Sequence, residues 1–309
     1  MDVMSLSQTA PPPAPAPTAA GTRLGPVHVA VTDETRALAV WRDLVGLTVR
    51  DRRADAIHLG AGERTLIVLH TDAVRPVVQH TSGLYHVAIH VPARSDLARV
   101  TARLMAARFA NSPTDHLVSE AVYLWDLDGN GIEMTFETPW RGEMKSDGAT
   151  YFGITADGRR HSARDPIDLD SLLGELPGDA TLADPLPAGT RVGHVHVHVG
   201  DLDAAMGFYG EGIGFRPLML ARRIGMGDVT MGYPPHIVAF NTWAGPGAPQ
   251  PPAGSAGLRW FTIVVPSAAD LAAMRDRLAA AGAPVGDTAD GFETADPAGN
   301  RVRIAVEAA

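Results

Sequence analysis

The chain contains no cysteine, which excludes disulfides, thiolate metal sites and a cysteine nucleophile. It contains no apolar run of the roughly 18 residues that would span a bilayer, so no membrane partner is expected. It also lacks an excess of positive charge. The net charge is -9 at pH 7, and a nucleic-acid partner would call for a basic stripe to neutralise phosphates. Lysine is nearly absent: Lys145 is the single one, a composition bias from which nothing functional follows. What is present is ordinary for a soluble globular protein: 45% hydrophobic and 20% charged residues. A length of 309 residues allows two domains at about 150 residues each. Twelve histidines are the available soft metal ligands.

Residues 1–22 (MDVMSLSQTAPPPAPAPTAAGT) carry no Lys or Arg and no apolar h-region. They fit neither a signal peptide nor a transit peptide, so a cytoplasmic location is expected. The Pro/Ala run Pro11–Pro17 predicts a disordered or extended tail. A second polar stretch, 141–190, is rich in Gly, Asp and Pro and reads as a connecting segment with one short helix over Ile167–Leu176.

An internal repeat organises the remainder. GPVHVAVTDETRALAVWRDLVGL (25–47) matches GHVHVHVGDLDAAMGFYGEGIGF (193–215). Gly25/Gly193, Asp33/Asp201, Trp41/Tyr209 and Gly46/Gly214 are each 168 positions apart. GLYHVAIHVP (83–92) matches GLRWFTIVVP (257–266) at an offset of 174. A helical stretch follows each of the latter, and then the turns DLDGNGIEM (126–134) and DPAGNRVRI (296–304). The alternation in VHVAV and VHVHV predicts strands. Leu97, Val100 and Leu104 give one apolar helix face. Four strand–helix–strands units result, near 24–72, 83–138, 191–244 and 257–307. Units one and two fall within 23–140, units three and four within 191–309.

Four βαβββ units in this order resemble the vicinal oxygen chelate superfamily. More narrowly, GLYHVAIHVP, DHLVSEAVYLWDLDGNGIE, GHVHVHVGDLDAAMGFY and HIVAFNTWAG resemble the four-unit bacterial catechol 2,3-dioxygenases. The resemblance covers nearly everything from residue 24 onward. It implies an α+β fold of four βαβββ modules paired into two eight-stranded cups. It further implies Fe(II), or Mn(II) on the same donors, with a catechol-like substrate, O2 and a muconic semialdehyde product. Homo-oligomers are common in such proteins.

In this superfamily metal ligands come from the first and last strands of a unit, and a non-haem iron site takes two His and one carboxylate. Unit two offers His86 and Glu133, where unit four has Trp260 and Arg303. In related sequences the third ligand stands seven residues before the Asp that opens the helix. That is His194 in unit three and Pro26 in unit one, which favours His194 and a pairing of units two with three and one with four. His28 is the alternative third ligand, if unit one pairs with unit two instead; it occupies the place of His196, two positions along the same strand face.

The resemblance assigns three further residues. His236 opens the last strand of unit three and would act as base and then acid, although Pro234-Pro235 stand where relatives often show more histidines. Tyr123, ten residues before Glu133, would donate a hydrogen bond during ring opening. His116 would contact a substrate hydroxyl. His90, His196 and His198 would line the cup, with Trp125 and Trp243 shaping it. His58, His70, His80 and His161 read as surface or hydrogen-bonded residues. The competing functions are another metalloenzyme of the fold (a glyoxalase-type isomerase or an antibiotic-resistance thiol transferase) and a metal-free aromatic- or antibiotic-binding protein.

Overall fold

The computed structural model describes residues 18–147, 149–231 and 236–307. Most of the expected tail, residues 1–17, lies outside them, as do Pro234 and Pro235. Thr18 is already fixed, donating to the Gly214 carbonyl at 2.6 Å.

The repeat folds into two eight-stranded sheets. One runs Gly286–Thr288, Gly291–Ala295, Arg301–Val306, Gly257–Val265, Arg23–Ala30, Arg64–His70, Ala56–Ala61, Thr48–Arg52, and so joins units four and one. The other runs Arg216–Ala221, Met226–Thr230, Val238–Asn241, Arg191–His198, Gly83–His90, Gly131–Glu137, Ser119–Trp125, Ser112–Asp115, and joins units three and two. In each sheet the two opening strands pair antiparallel at the centre, and each pairs parallel with its own unit's last strand. Helices Glu34–Trp41, Arg94–Ala106 and Ala268–Ala280 follow three of the opening strands. The fourth, Leu202–Met206, continues as a π-helical stretch, Gly207–Gly212.

The repeated residues have specific structural tasks. Asp33 and Asp201 are N-caps, accepting from the backbone N–H of Arg36 and Ala204 at 2.8 Å each. The two Asp-x-x-Gly-Asn turns are built alike. Asp126 accepts from the backbone N–H groups of Asp128 and Asn130, from the Asn130 amide and from Trp41 Nε1 at 3.0 Å. Asp296 does the same with Ala298, Asn300 and Tyr209 Oη at 2.9 Å. Gly129 and Gly299 take φ of 92° and 86° there, the left-handed region that glycine enters without steric cost. Trp41 and Tyr209 are both fully buried. Since Trp41 belongs to unit one and Asp126 to unit two, these bonds cross from one sheet to the other and fasten the two cups together.

One expectation needs correction. The connecting segment holds more than a short helix. The helix is Leu169–Leu173, capped by Asp168. Before it lies a three-stranded antiparallel sheet of Gly142–Ser146, Tyr151–Thr155 and Arg160–His161. Its strands are short and mostly half-buried, too short for the sequence pattern to announce them. Among the described residues no helix is long and apolar enough to cross a membrane.

Candidate metal centre

The register places the candidate ligands. Ala88 on the strand Gly83–His90 pairs with His194 on one side and Glu133 on the other. His86 lies two residues before Ala88, on the same face. Three donors therefore surround a residue whose side chain is a single methyl, and they have room to converge. His86 Nε2 lies 2.9 Å from Glu133 Oε2, His194 Nε2 lies 3.0 Å from the same oxygen, and the two imidazole nitrogens are 3.2 Å apart. All three side chains are buried.

This spacing suits a cation. Donors on one face of an octahedron, about 2.1 Å from a metal, are about 3.0 Å from one another, whereas tetrahedral donors are about 3.4 Å apart. His86, Glu133 and His194 could therefore hold a divalent ion facially, leaving the opposite positions to other ligands. The protonation states agree. Burial opposes ionisation of Glu133, but His194 and His86 outweigh it and hold its pKa well below the usual carboxylate range. Burial, then the neighbouring His236, holds His194 well below the ordinary imidazole value, so it is neutral and free to coordinate.

A hydrogen-bonded chain fixes which nitrogen of His194 is free. Glu137 Oε1 accepts from His90 Nδ1 at 2.7 Å and from Arg191 at 2.9 Å. A carboxylate only accepts, so His90 carries its proton on Nδ1. His90 Nε2 then accepts from His194 Nδ1, 3.3 Å away. That leaves the lone pair of His194 on Nε2, the nitrogen that faces Glu133.

Around the triad lies a cavity of about 570 Å³. Tyr123 is the cross-strand neighbour of Glu133. His116 Nδ1 lies 2.6 Å from the Ala163 carbonyl, which can only accept, and burial keeps this ring neutral. Its Nε2 is therefore an acceptor, and the Tyr123 hydroxyl, 2.8 Å away, donates to it. Burial, and then Glu133, raises the Tyr123 pKa well above the ordinary phenol value. The His236 ring centroid is 4.3 Å from that of His194. Its Nδ1 lies 3.2 Å from Asp228 Oδ2, which leaves Nε2 as the basic atom. Burial works against charging His236, and the hydrogen bond and charge of Asp228 more than offset it, raising its pKa. Trp125 and Trp243 line the mouth, 46% and 45% exposed.

His28 is not part of this cluster. Unit one pairs with unit four, so His28 lies in the other sheet, stacked on Trp260 at 4.0 Å and 2.9 Å from His70 Nε2. His196 and His198 are taken up by Asn241, each at 2.8 Å. His161 lies 3.1 Å from Asp165. Sequence reasoning missed Asp228, eight residues before its partner His236, and the role of Ala88. It also missed the contribution of segment 141–190 to the cavity wall, through Met144, Tyr151 and Arg164.

Comparison with known proteins places this geometry in a family. The sequence profile of the Glyoxalase/Bleomycin resistance protein/Dioxygenase superfamily matches residues 23–134 and 191–304. A Bacillus subtilis (strain 168) protein named catechol-2,3-dioxygenase is 33% identical over 281 residues, spanning 89% of this chain and 94% of its own length. A crystal structure from Bacillus subtilis, described provisionally as a dioxygenase, superposes with a TM-score of 0.61 at 11% identity, covering 93% of this chain and 86% of its own. Glyoxalase I from Zea mays superposes at 0.54 with 13% identity, over 93% and 92% of the two chains. At such identities the structures speak to fold alone. The profile, however, spans both halves of the repeat, and the sequence match runs through nearly the whole chain: it belongs to the Glyoxalase/Bleomycin resistance protein/Dioxygenase superfamily.

Proposed function

We propose that the protein is a non-haem Fe(II)-dependent extradiol dioxygenase. It would open the ring of a catechol with O2, next to the diol, to give a muconic semialdehyde. The observation that carries this reading is the donor set: two imidazoles and one carboxylate with mutual spacings of 2.9, 3.0 and 3.2 Å, facing a cavity. The 33% identity to a protein named catechol-2,3-dioxygenase supports the same assignment. Mn(II) suits the same donors.

His86, His194 and Glu133 would hold the ion. Ferrous iron there supplies the redox chemistry that lets dioxygen react with an electron-rich ring, and it acidifies the catechol hydroxyls. The remaining work falls to this chain. His236 Nε2 takes a hydroxyl proton, and Asp228 stabilises the imidazolium that results. The same atom returns the proton as the ring opens. The Tyr123 hydrogen is directed at His116, not into the cavity as the resemblance implied, and both His116 nitrogens are taken, so it is the Tyr123 oxygen that would accept from a substrate hydroxyl. The apolar wall, with Trp125, Trp243 and Met226, excludes water from the ring.

The test is aerobic turnover of catechol by iron-reconstituted protein, followed as oxygen uptake and a yellow product. His194→Ala is expected to abolish iron binding and turnover, and His28→Ala to retain both. Iron binding that survives His194→Ala but not His28→Ala would refute the assignment.

A further inference from the structure

The inserted sheet forms part of the wall of the cavity around the triad. It reaches from one rim of the metal-bearing cup to the other. On one side, Asp165 pairs with Asp115 of the edge strand through two backbone hydrogen bonds of 2.6 and 3.1 Å. On the other, Ala149 accepts from the backbone N–H of Arg223, next to the opposite edge strand Arg216–Ala221. Between these anchors Met144, Lys145, Tyr151 and Arg164 face the cavity.

A count of the formal charges on the cavity wall leaves one over. Glu133 faces His86 and His194. Glu137 is met by His90 and Arg191, Asp228 by His236, and Glu143 by Lys145 at 2.8 Å. Arg164 alone, among the described charged residues of the wall, has no oppositely charged partner. It is solvent-exposed at the cavity mouth, yet held in place. Its Nε donates to Tyr151 Oη at 2.8 Å, and its guanidinium carbon stands 4.8 Å over that ring. Its backbone N–H donates to Ser162 Oγ at 2.9 Å. The preceding Ala163 is fully buried with φ at 62°, a left-handed conformation that a non-glycine residue adopts only under constraint. The Ala163 carbonyl is also the acceptor for His116, at 2.6 Å. The turn that positions Arg164 is thus tied to the chain of contacts that ends at Tyr123. Among the described residues neither Nη of Arg164 makes a hydrogen bond, so both are available as a fork.

We infer that Arg164 recognises a carboxylate on the substrate, and that the substrate is a catechol carrying a short acidic side chain directed at the inserted sheet. This rests on the ring-cleaving reading above. A guanidinium offers two parallel N–H donors that match a carboxylate, and such a bidentate charged pair is stronger and more directional than a neutral hydrogen bond.

The test compares 3,4-dihydroxyphenylacetate with 4-ethylcatechol, which has a side chain of similar length and no charge. Wild type should prefer the acid in kcat/KM. Arg164→Gln should lower kcat/KM for the acid relative to 4-ethylcatechol by about two- to tenfold, mainly through KM, and Arg164→Lys should restore part of it. A titration of metal-free protein with 3,4-dihydroxyphenylacetate, followed by tryptophan fluorescence, should show the same order of affinities without turnover. Equal handling of the two catechols by wild type, or an unchanged ratio in Arg164→Gln, overturns the inference and leaves the dioxygenase reading standing. Failure of the iron-loaded protein to turn over any catechol overturns both.

Discussion

The chain from Glu137 through His90 to His194 makes a quantitative demand on metal affinity. His90→Phe keeps a ring of similar size in a fully buried position and removes both of its hydrogen bonds. His194 Nδ1–H then loses its acceptor, so nothing fixes the proton on that nitrogen or leaves the lone pair on Nε2. Removing such an outer partner costs about 10- to 100-fold in metal affinity, or about 1.4–2.8 kcal/mol. Folding should also suffer in the metal-free protein, by about 1–3 kcal/mol, because one buried donor is orphaned and Glu137 keeps only Arg191. Competitive titration of Fe(II) or Mn(II) against a chelator gives the first quantity, and denaturant unfolding of the metal-free protein gives the second. Glu137→Gln, which leaves an acceptor for His90, should fall between wild type and His90→Phe. Metal affinity that is unchanged in His90→Phe would refute the relay, whatever happens to stability.

Two further outcomes follow from the fold. Tyr209→Phe removes one of the donors to buried Asp296 and should destabilise the protein by about 1–2 kcal/mol in denaturant unfolding, with metal affinity unchanged. His28 is held neutral by burial first and then by His70, Arg303 and His58, with its pKa lowered to about 3. The unfolded chain binds a proton there below about pH 6.5 and the folded chain does not, so this position costs stability as pH falls from about 6.5 toward 3. His28→Phe should therefore lose about 1–2 kcal/mol less than wild type between pH 7.5 and pH 5 in urea unfolding; identical losses would contradict the assigned charge state.

How much of this was legible beforehand depends on what each residue encodes. The repeat carried the architecture, since Asp33/Asp201 and Trp41/Tyr209 recur for reasons the structure makes plain: helix caps, and donors to the two turn aspartates. The pairing of units was open in the sequence. Strand alternation says which face a residue takes but not which strand lies beside it, so His194 and His28 could not be separated by parity. Strand order separates them. Asp228 and Ala88 carry no sequence signal, since one acts through a side-chain contact to His236 and the other by being small. The inserted sheet escaped because its strands, two of five residues and one of two, rest on a rim rather than a core. GEMKS has one apolar residue, and the Phe152–Ile154 alternation in YFGIT is too short to read as a strand.

The two cups share one design and differ in what fills the centre. Where the metal-bearing cup has His86, Glu133 and Tyr123, the other has Trp260, Arg303 and Glu293 at the corresponding rungs. Arg303 stands 3.6 Å over the Trp260 ring, His28 stacks on the same indole at 4.0 Å, and Glu293 holds the guanidinium at 2.9 Å. A cation is thus built into the second cup, on an aromatic ring where an imidazole would otherwise stand. Replacing Arg303 with glutamate would not restore a site. The new carboxylate would face Glu293 across the rung, Trp260 would still occupy the ligand space, and Pro26 offers no donor. Like charges on neighbouring strands repel, and a buried carboxylate without a partner is costly. The absence of such a donor cluster from the described residues of that cup is therefore a repacked, charge-balanced state rather than a single missing ligand. For this reason the two halves of the repeat offer, among the described residues, one candidate metal site between them.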